Sequence, residues 1–203
     1  MPRAEEVQEA LLQTGVWQFG DFIFASGKSA NNKFDIPGAL RSPWPKHLLL
    51  SRMELLAQKQ KPDALFGVPS GGQAIAQIMG KEMDLPVISL TKEPSADGSK
   101  RFGYQSSADR ELAQDAGSIV GIEDVTNEFT STIACLQLPE LSERTVAIIA
   151  GWCRGTKTAP GLSLPVYGAI EAAVPNTITP DHPFYRRYGH LALPSPDWED
   201  DDY

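Results

Sequence analysis

The sequence predicts an α/β domain, a mainly parallel sheet flanked by helices, with a small hood at the N-terminus. Three observations carry that expectation. Short apolar runs (DALFGV, SIVGIED, RTVAIIAG) recur along the chain. DALFGV and SIVGIED are each followed by a turn and then by a helical stretch, the rhythm of strand–turn–helix units. Before the first such unit lies WQFGDFIFASGKSANNKFD, whose aromatics sit in a short alternating pattern and fit an antiparallel pair.

Taken in order, residues 3–14 read as an amphipathic helix ending near Gly15. WQFGDFIFASG and NNKFDIP read as two short strands around a turn at Ser26–Ser29, with Phe22 and Phe24 alternating with Asp21 and Ile23. SPWPKHLLLSRMELLAQKQK reads as a helix, with Ser42 suited to cap it and Pro43 suited to its first turn. DALFGV is a strand, PSGG its turn and QAIAQIMGKEM the following helix. LPVISL and SIVGIED are the next strands, FTSTIACLQL a helix, RTVAIIAG a buried strand and LPVYGAI a last one. This divides the chain into a hood (1–40), an α/β core (41–175) and a C-terminal extension (176–203). Thr91 to Gly117 is too long and too polar for an ordinary connection and reads as a mobile lid. HPFYRRYGH, in the extension, suits packing on the core or contact with a partner, and packing is the expectation.

Composition narrows the function classes. A chain of 203 residues supports one domain with a sizeable core. The net charge is -8, much of it in the C-terminal DWEDDDY, and the mildly acidic remainder argues against a nucleic-acid partner. No apolar run approaches the roughly 18 residues of a membrane span, and the N-terminus lacks the apolar core of a signal peptide, so a cytoplasmic protein is expected. Cys135 and Cys153 form no CxxC pair and read as small buried apolar side chains. His47, His182 and His190 have no metal-ligand spacing.

Two motifs carry chemistry. GVPSGG, Gly67 to Gly72, closes a strand and opens a helix. Its glycines let the backbone bend and present N–H groups to a phosphate or pyrophosphate, and they equally suit a plain tight turn. IEDV sets Glu123 and Asp124 at the C-terminal end of a buried strand, the edge at which open α/β sheets bind ligands. The two carboxylates could accept bonds from vicinal ribose hydroxyls or hold Mg²⁺ through water. One could instead cap the next helix while the other is solvated.

DALFGVPSGGQAIAQIMGKEMDLPVISLTKE followed by SIVGIEDVTNEFTST resembles the type I phosphoribosyltransferases, most nearly the orotate branch. GDFIFASGKSANNKFD looks like that branch's hood segment. The resemblance implies the family's fold. It also implies transfer of ribose 5-phosphate from phosphoribosyl pyrophosphate to a pyrimidine base such as orotate, with Mg²⁺, by a homodimer. By similarity, Ser70, Gly71 and Gly72 would cradle pyrophosphate and Glu123 and Asp124 would hold the ribose. Lys92 would face the pyrophosphate and Phe34 the base. In the loop that would face the 5′-phosphate, Thr126, Thr130 and Ser131 remain as donors.

The departures lie where chemistry is expected. Where the family's phosphate loop carries two threonines and two glycines, this chain has Asn127, Glu128, Phe129 and Thr130. Glu128 would repel a phosphate, and Phe129 adds a Cβ where the backbone should close on the anion. Replacing them with Thr and Gly is expected to strengthen phosphate binding. In the lid, Lys100 and Arg101 could substitute for cations missing near Lys92. Lys28 lies near the hood position where the family has a lysine, and Arg154 could match the arginine that reads the base. Two readings stand: an active phosphoribosyltransferase, or a non-catalytic homologue that binds a nucleotide-like ligand or serves a regulatory or structural role.

Overall fold

A computed structural model describes residues 2–24, 27–94, 100–155, 157–158 and 161–194. Helix α1 (Ala4–Leu12) leads into the hood strands β1 (Trp17–Ile23) and β2 (Ser29–Phe34), which pair antiparallel. A short helix, α2 (Ile36–Ala39), is capped by Asp35, whose carboxylate accepts from the Gly38 N–H at 3.0 Å. Then come α3 (Pro43–Gln58), β3 (Ala64–Gly67), α4 (Gly71–Met83) and β4 (Val87–Ile88). Strands β5 (Leu90–Glu93) and β6 (Arg101–Tyr104) form an antiparallel hairpin, and α5 (Ser107–Asp115) follows. The chain continues through β7 (Ile119–Thr126), α6 (Thr130–Cys135), α7 (Pro139–Arg144), β8 (Thr145–Cys153) and β9 (Val166–Glu171). Helix α8 (Pro183–Tyr188), a 3₁₀ turn and β10 (Leu193–Pro194) end the described chain.

The central sheet is parallel, in the order β4–β3–β7–β8–β9. Its strands are apolar on both faces because helices cover both. Alternation along each strand divides their side chains between two cores. Leu65, Val120, Ile122 and Ile149 join the core beneath α1, α3 and α4. Phe66, Ile119, Ile148 and Ala150 join the opposite core with residues of α5, α6 and α7.

Several local expectations change. Ser42 stands at the start of α3 without a side-chain capping bond. The residue three positions on is Pro45, which has no N–H to donate. LPVISL is divided: Val87–Ile88 joins the central sheet, and Leu90 begins the hairpin. FTSTIACLQL stops being helical after Cys135, and a separate helix begins at Pro139. The 91–117 stretch, read as one long loop, contains a strand pair and a helix, with residues 95–99 outside the described ones. The buried carboxylate of Glu140 ties these pieces to α7. It accepts from Tyr104 Oη at 3.0 Å, Arg110 Nε at 2.9 Å and Gln114 Nε2 at 3.2 Å. Its own backbone N–H and Arg110 hold its pKa well below the usual carboxylate range, at about 2.

The hood is a three-stranded sheet, β10–β1–β2, so the C-terminal stretch closes it. HPFYRRYGH packs on the core, as expected. Phe184 meets the Trp17 ring edge-on with centroids 4.9 Å apart, and Tyr188 is also buried. Cys135 and Cys153 are both free and buried. No helix among the described residues is long and apolar enough to cross a membrane.

Candidate functional site

A cavity of about 330 Å³ opens at the C-terminal ends of β3, β7 and β8, under the hood. Its floor is Glu123, Asp124 and Val125 at the end of β7. Asn127 to Ser131 form one side, and Phe24, Lys33 and Phe34 of the hood form another. Arg154, just past β8, closes the back. This is the edge at which parallel sheets bind ligands, because successive strand–helix loops diverge there.

Glu123 is 7% exposed and accepts a short hydrogen bond from Thr132 Oγ1. Burial pushes its pKa up to about 8, against the opposing pull of Thr132, and the neighbouring Asp124 adds to the rise. Asp124 is half-buried, and burial raises its pKa too, with Asp35 adding to the shift. The floor therefore holds two adjacent carboxyls short of counter-charge. Lys100 stands beside them. Its Nζ donates to Ser131 Oγ at 2.9 Å, and its pKa is lowered by burial and by Lys92.

Ser70, Gly71 and Gly72 are not in the cavity wall, which takes Val68 and Pro69 instead. The two glycines face β7. A Cβ on Gly71 would lie 2.1 Å from Asp124 Oδ2, and one on Gly72 would lie 2.2 Å from the Ile122 carbonyl oxygen. Close packing of the helix start on the β7 backbone therefore requires Gly72. It also brings the start of α4 against Asp124.

The loop after β7 differs from expectation in three ways. Thr126 is fully buried and outside the cavity wall, because it is the last residue of β7 and pairs with Cys153. Phe129 takes the left-handed conformation that glycine favours, φ 59°, yet its ring is 2% exposed and belongs to the core beneath the loop. It supports the loop from within and at the same time belongs to the cavity side formed by Asn127 to Ser131. Glu128 is turned toward the hood, where Lys28 Nζ lies 2.7 Å from its Oε1. Lys28 thus meets Glu128, and Thr130 and Ser131 line the cavity.

Arg154 is 3% exposed and already heavily bonded. It donates to the carbonyls of Val174, Asn32 and Pro175 and to Asn32 Oδ1, at 2.9–3.3 Å. Its guanidinium lies 5.3 Å from the Phe24 ring and 5.4 Å from the Phe34 ring. Phe34 in turn stacks on Trp152, with centroids 4.2 Å apart. Lys92 and Arg101 are exposed on the hairpin and are absent from the cavity wall.

Sequence reasoning missed Asn32, the hub of this wall. It is fully buried, accepts from Trp17 Nε1 and Arg154, and donates to the Pro175 and Asn176 carbonyls at 3.0 Å. Strand alternation contains the signal, since Ala30, Asn32 and Phe34 share one face of β2 and all are buried. Asn127 joins the same network through Asn176 Oδ1, at 2.8 Å.

No group of three or more metal-binding side chains occurs among the described residues. Asp124 and Glu123 offer hard oxygen donors at the cavity floor. They suit a Mg²⁺ that retains water and ligand oxygens, and they do not make a closed protein cage.

No family model matches the chain. An orotate phosphoribosyltransferase of Methanosarcina mazei is 31% identical over 124 residues, which cover 60% of this chain and 62% of that protein. The chain thus spans less than two thirds of that relative. The Methanocaldococcus jannaschii enzyme of the same name is 27% identical over 139 residues, covering 68% of this chain and 74% of that protein. Among solved structures, the orotate phosphoribosyltransferase of Aeropyrum pernix superposes with a TM-score of 0.59 at 16% identity, over 81% of this chain and 93% of that one. A Leishmania donovani UMP synthase gives 0.60 at 18% identity, over 82% of this chain and 36% of that one. An adenine phosphoribosyltransferase gives 0.56 at 16% identity, over 81% and 99%. At these identities the structures speak to the fold alone.

Proposed function

We propose that this chain is a type I phosphoribosyltransferase and that it transfers ribose 5-phosphate from phosphoribosyl pyrophosphate to a pyrimidine base such as orotate, releasing pyrophosphate. The observation that carries the reading is the cavity floor. Glu123 and Asp124 lie side by side at the end of β7, between a hydroxyl-bearing loop and a wall of Phe34 and Arg154.

In this reading the two carboxyls hold the ribose hydroxyls and stabilise positive charge as it develops on the sugar. Burial favours a neutral Glu123 in the free cleft, which limits repulsion with Asp124 until hydroxyl donors arrive. Thr130, Ser131 and Lys100 face the 5′-phosphate. The base lies against Phe34, with Arg154 behind that ring. Lys92 and Arg101 reach the pyrophosphate from the hairpin, and the start of α4 at Ser70 to Gly72 borders it. Mg²⁺, held by Asp124, Glu123 and ligand oxygens, would neutralise the leaving pyrophosphate. A homodimer in the cytoplasm belongs to the same reading, as do the divisions 1–40, 41–175 and 176–203.

A second reading, a non-catalytic homologue that binds a nucleotide-like ligand, draws on Glu128 and Phe129 in the phosphate loop. One assay separates the two. Phosphoribosyl pyrophosphate, Mg²⁺ and a panel of bases should yield pyrophosphate with at least one base. Turnover no faster than that of Asp124→Ala across the panel rejects the enzyme, and calorimetric binding of nucleoside monophosphates then supports the second reading.

A further inference from the structure

Within the loop Asn127 to Ser131, Glu128 is the residue worst suited to a phosphate, and its carboxylate is held by the hood. Lys28 owes its position to the hairpin turn. The Phe24 N–H donates to the Lys28 carbonyl at 2.9 Å, and the Gly27 N–H donates back to the Phe24 carbonyl at 2.8 Å. From there the Lys28 ammonium reaches Glu128, 2.7 Å away. The side chains are 64% and 30% exposed, so the pair adds little to the stability of the fold. Its effect is on where a negative charge stands. Glu128 shares the cavity wall with Thr130 and Ser131, so an unpaired carboxylate here would face any anion in the loop.

We propose that Lys28 is a positioning residue for anion binding: by holding the Glu128 carboxylate against the hood, it leaves the loop able to accept a phosphate, so that recognition of 5′-phosphorylated ligands depends on this ion pair. The inference rests on the reading that Asn127 to Ser131 face the 5′-phosphate. It gives Lys28 an indirect role, acting on the ligand through Glu128. The loop tolerates an acid because the hood supplies its counter-ion, which also links hood placement to phosphate affinity.

The test is a double-mutant cycle read by calorimetry, with uridine 5′-monophosphate and uridine as probes. The proteins are wild type, Lys28→Met, Glu128→Gln and the double variant. Lys28→Met should weaken the monophosphate about tenfold, the effect of baring one carboxylate beside a dianion, and leave uridine unchanged. The double variant should return to within about threefold of wild type. Equal loss of both probes, no recovery in the double variant, or no preference of wild type for the monophosphate would each overturn the proposal. The proposed transfer reaction fails separately. Absence of pyrophosphate release with the four-protein pattern intact rejects the reaction alone, and turnover without the pattern rejects this role for Lys28 alone.

Discussion

Substituting Phe129 separates its two roles, since the ring fills a core while the backbone holds a conformation that L-residues avoid. Truncating a buried phenylalanine to alanine costs about 3–5 kcal/mol. Alanine would keep the positive φ of 59°. That conformation costs an L-residue about 1–2 kcal/mol, which glycine avoids. Glycine also gives the unfolded chain extra freedom, worth about 0.4–1 kcal/mol. The balance makes Phe129→Gly more stable than Phe129→Ala by roughly 0.5–1 kcal/mol, opposite to the order found in helix and strand interiors. For a chain of this size, at about 2–4 °C per kcal/mol, Phe129→Ala should melt about 6–20 °C below wild type and Phe129→Gly about 1–4 °C above the alanine variant. Thermal unfolding followed by circular dichroism reads both. A glycine variant less stable than the alanine variant refutes the backbone argument. Both variants within about 2 °C of wild type would refute the burial of the ring. Replacing Glu128 and Phe129 with Thr and Gly to favour phosphate therefore carries a stability cost that the sequence did not reveal.

Three further predictions concern the buried polar groups. Folding raises the Glu123 pKa from an ordinary value of 4.5 to about 8, so the folded state binds the extra proton and stability falls as pH rises between those values. Glu123→Gln should flatten this slope, and identical slopes for wild type and variant between pH 5 and pH 8 would contradict it. Glu140 is the opposite case. Its pKa is held down at about 2, so its contribution is complete above the ordinary 4.5 and is lost as pH falls toward 2. Glu140→Gln should lower the urea midpoint at pH 7 by the equivalent of about 1–2 kcal/mol, and the gap should narrow at pH 3; a constant gap would show that charge is not the cause. Asn32→Ala leaves the buried Trp17 N–H without its acceptor and takes one of four acceptors from the buried Arg154, and should cost about 3 kcal/mol in chemical denaturation, whereas a loss under about 1 kcal/mol would mean the network re-forms without it.

Much of this architecture was legible because the central strands are nearly pure apolar runs and the turn after β3 carries two glycines. The 91–117 stretch was harder to read. Helix α5 buries only Ala113 fully, so its sequence has the polarity of a loop. Strands β5 and β6 expose Lys92, Glu93 and Arg101, which gives the alternation little apolar content. Glu123 and Asp124 could be placed from sequence because they end an apolar run. Thr126 could not, because where β7 ends depends on its pairing with β8 as far as Cys153, which no local pattern records. Arg154 could be picked out as a cation after a strand, but its partners at Asn32, Val174 and Pro175 come from segments far away in the chain. For Phe129, the loop sequence gives the residue but leaves open which side of the loop its ring takes.

The hood's strand order has a consequence for biosynthesis. Strand β1 finds β2 within a few residues, but its parallel neighbour β10 lies at the far end of the described chain. Asn31 and Asn32 likewise bond to Pro175, Asn176 and Ile178. On a ribosome, Gln18 emerges early and waits for Leu193, a delay on the order of ten seconds at about 5–20 residues per second. By then every strand of the central sheet has been made. The nascent protein therefore carries a finished sheet and a two-stranded hood, and the bonds that tie Asn32 and Arg154 to Pro175 and Asn176 form only when residues 175–194 arrive. A stalled or clipped chain lacking that stretch would retain the sheet and lose the third strand of its roof. Ligand binding would then report completion of synthesis more sharply than any measure of secondary structure.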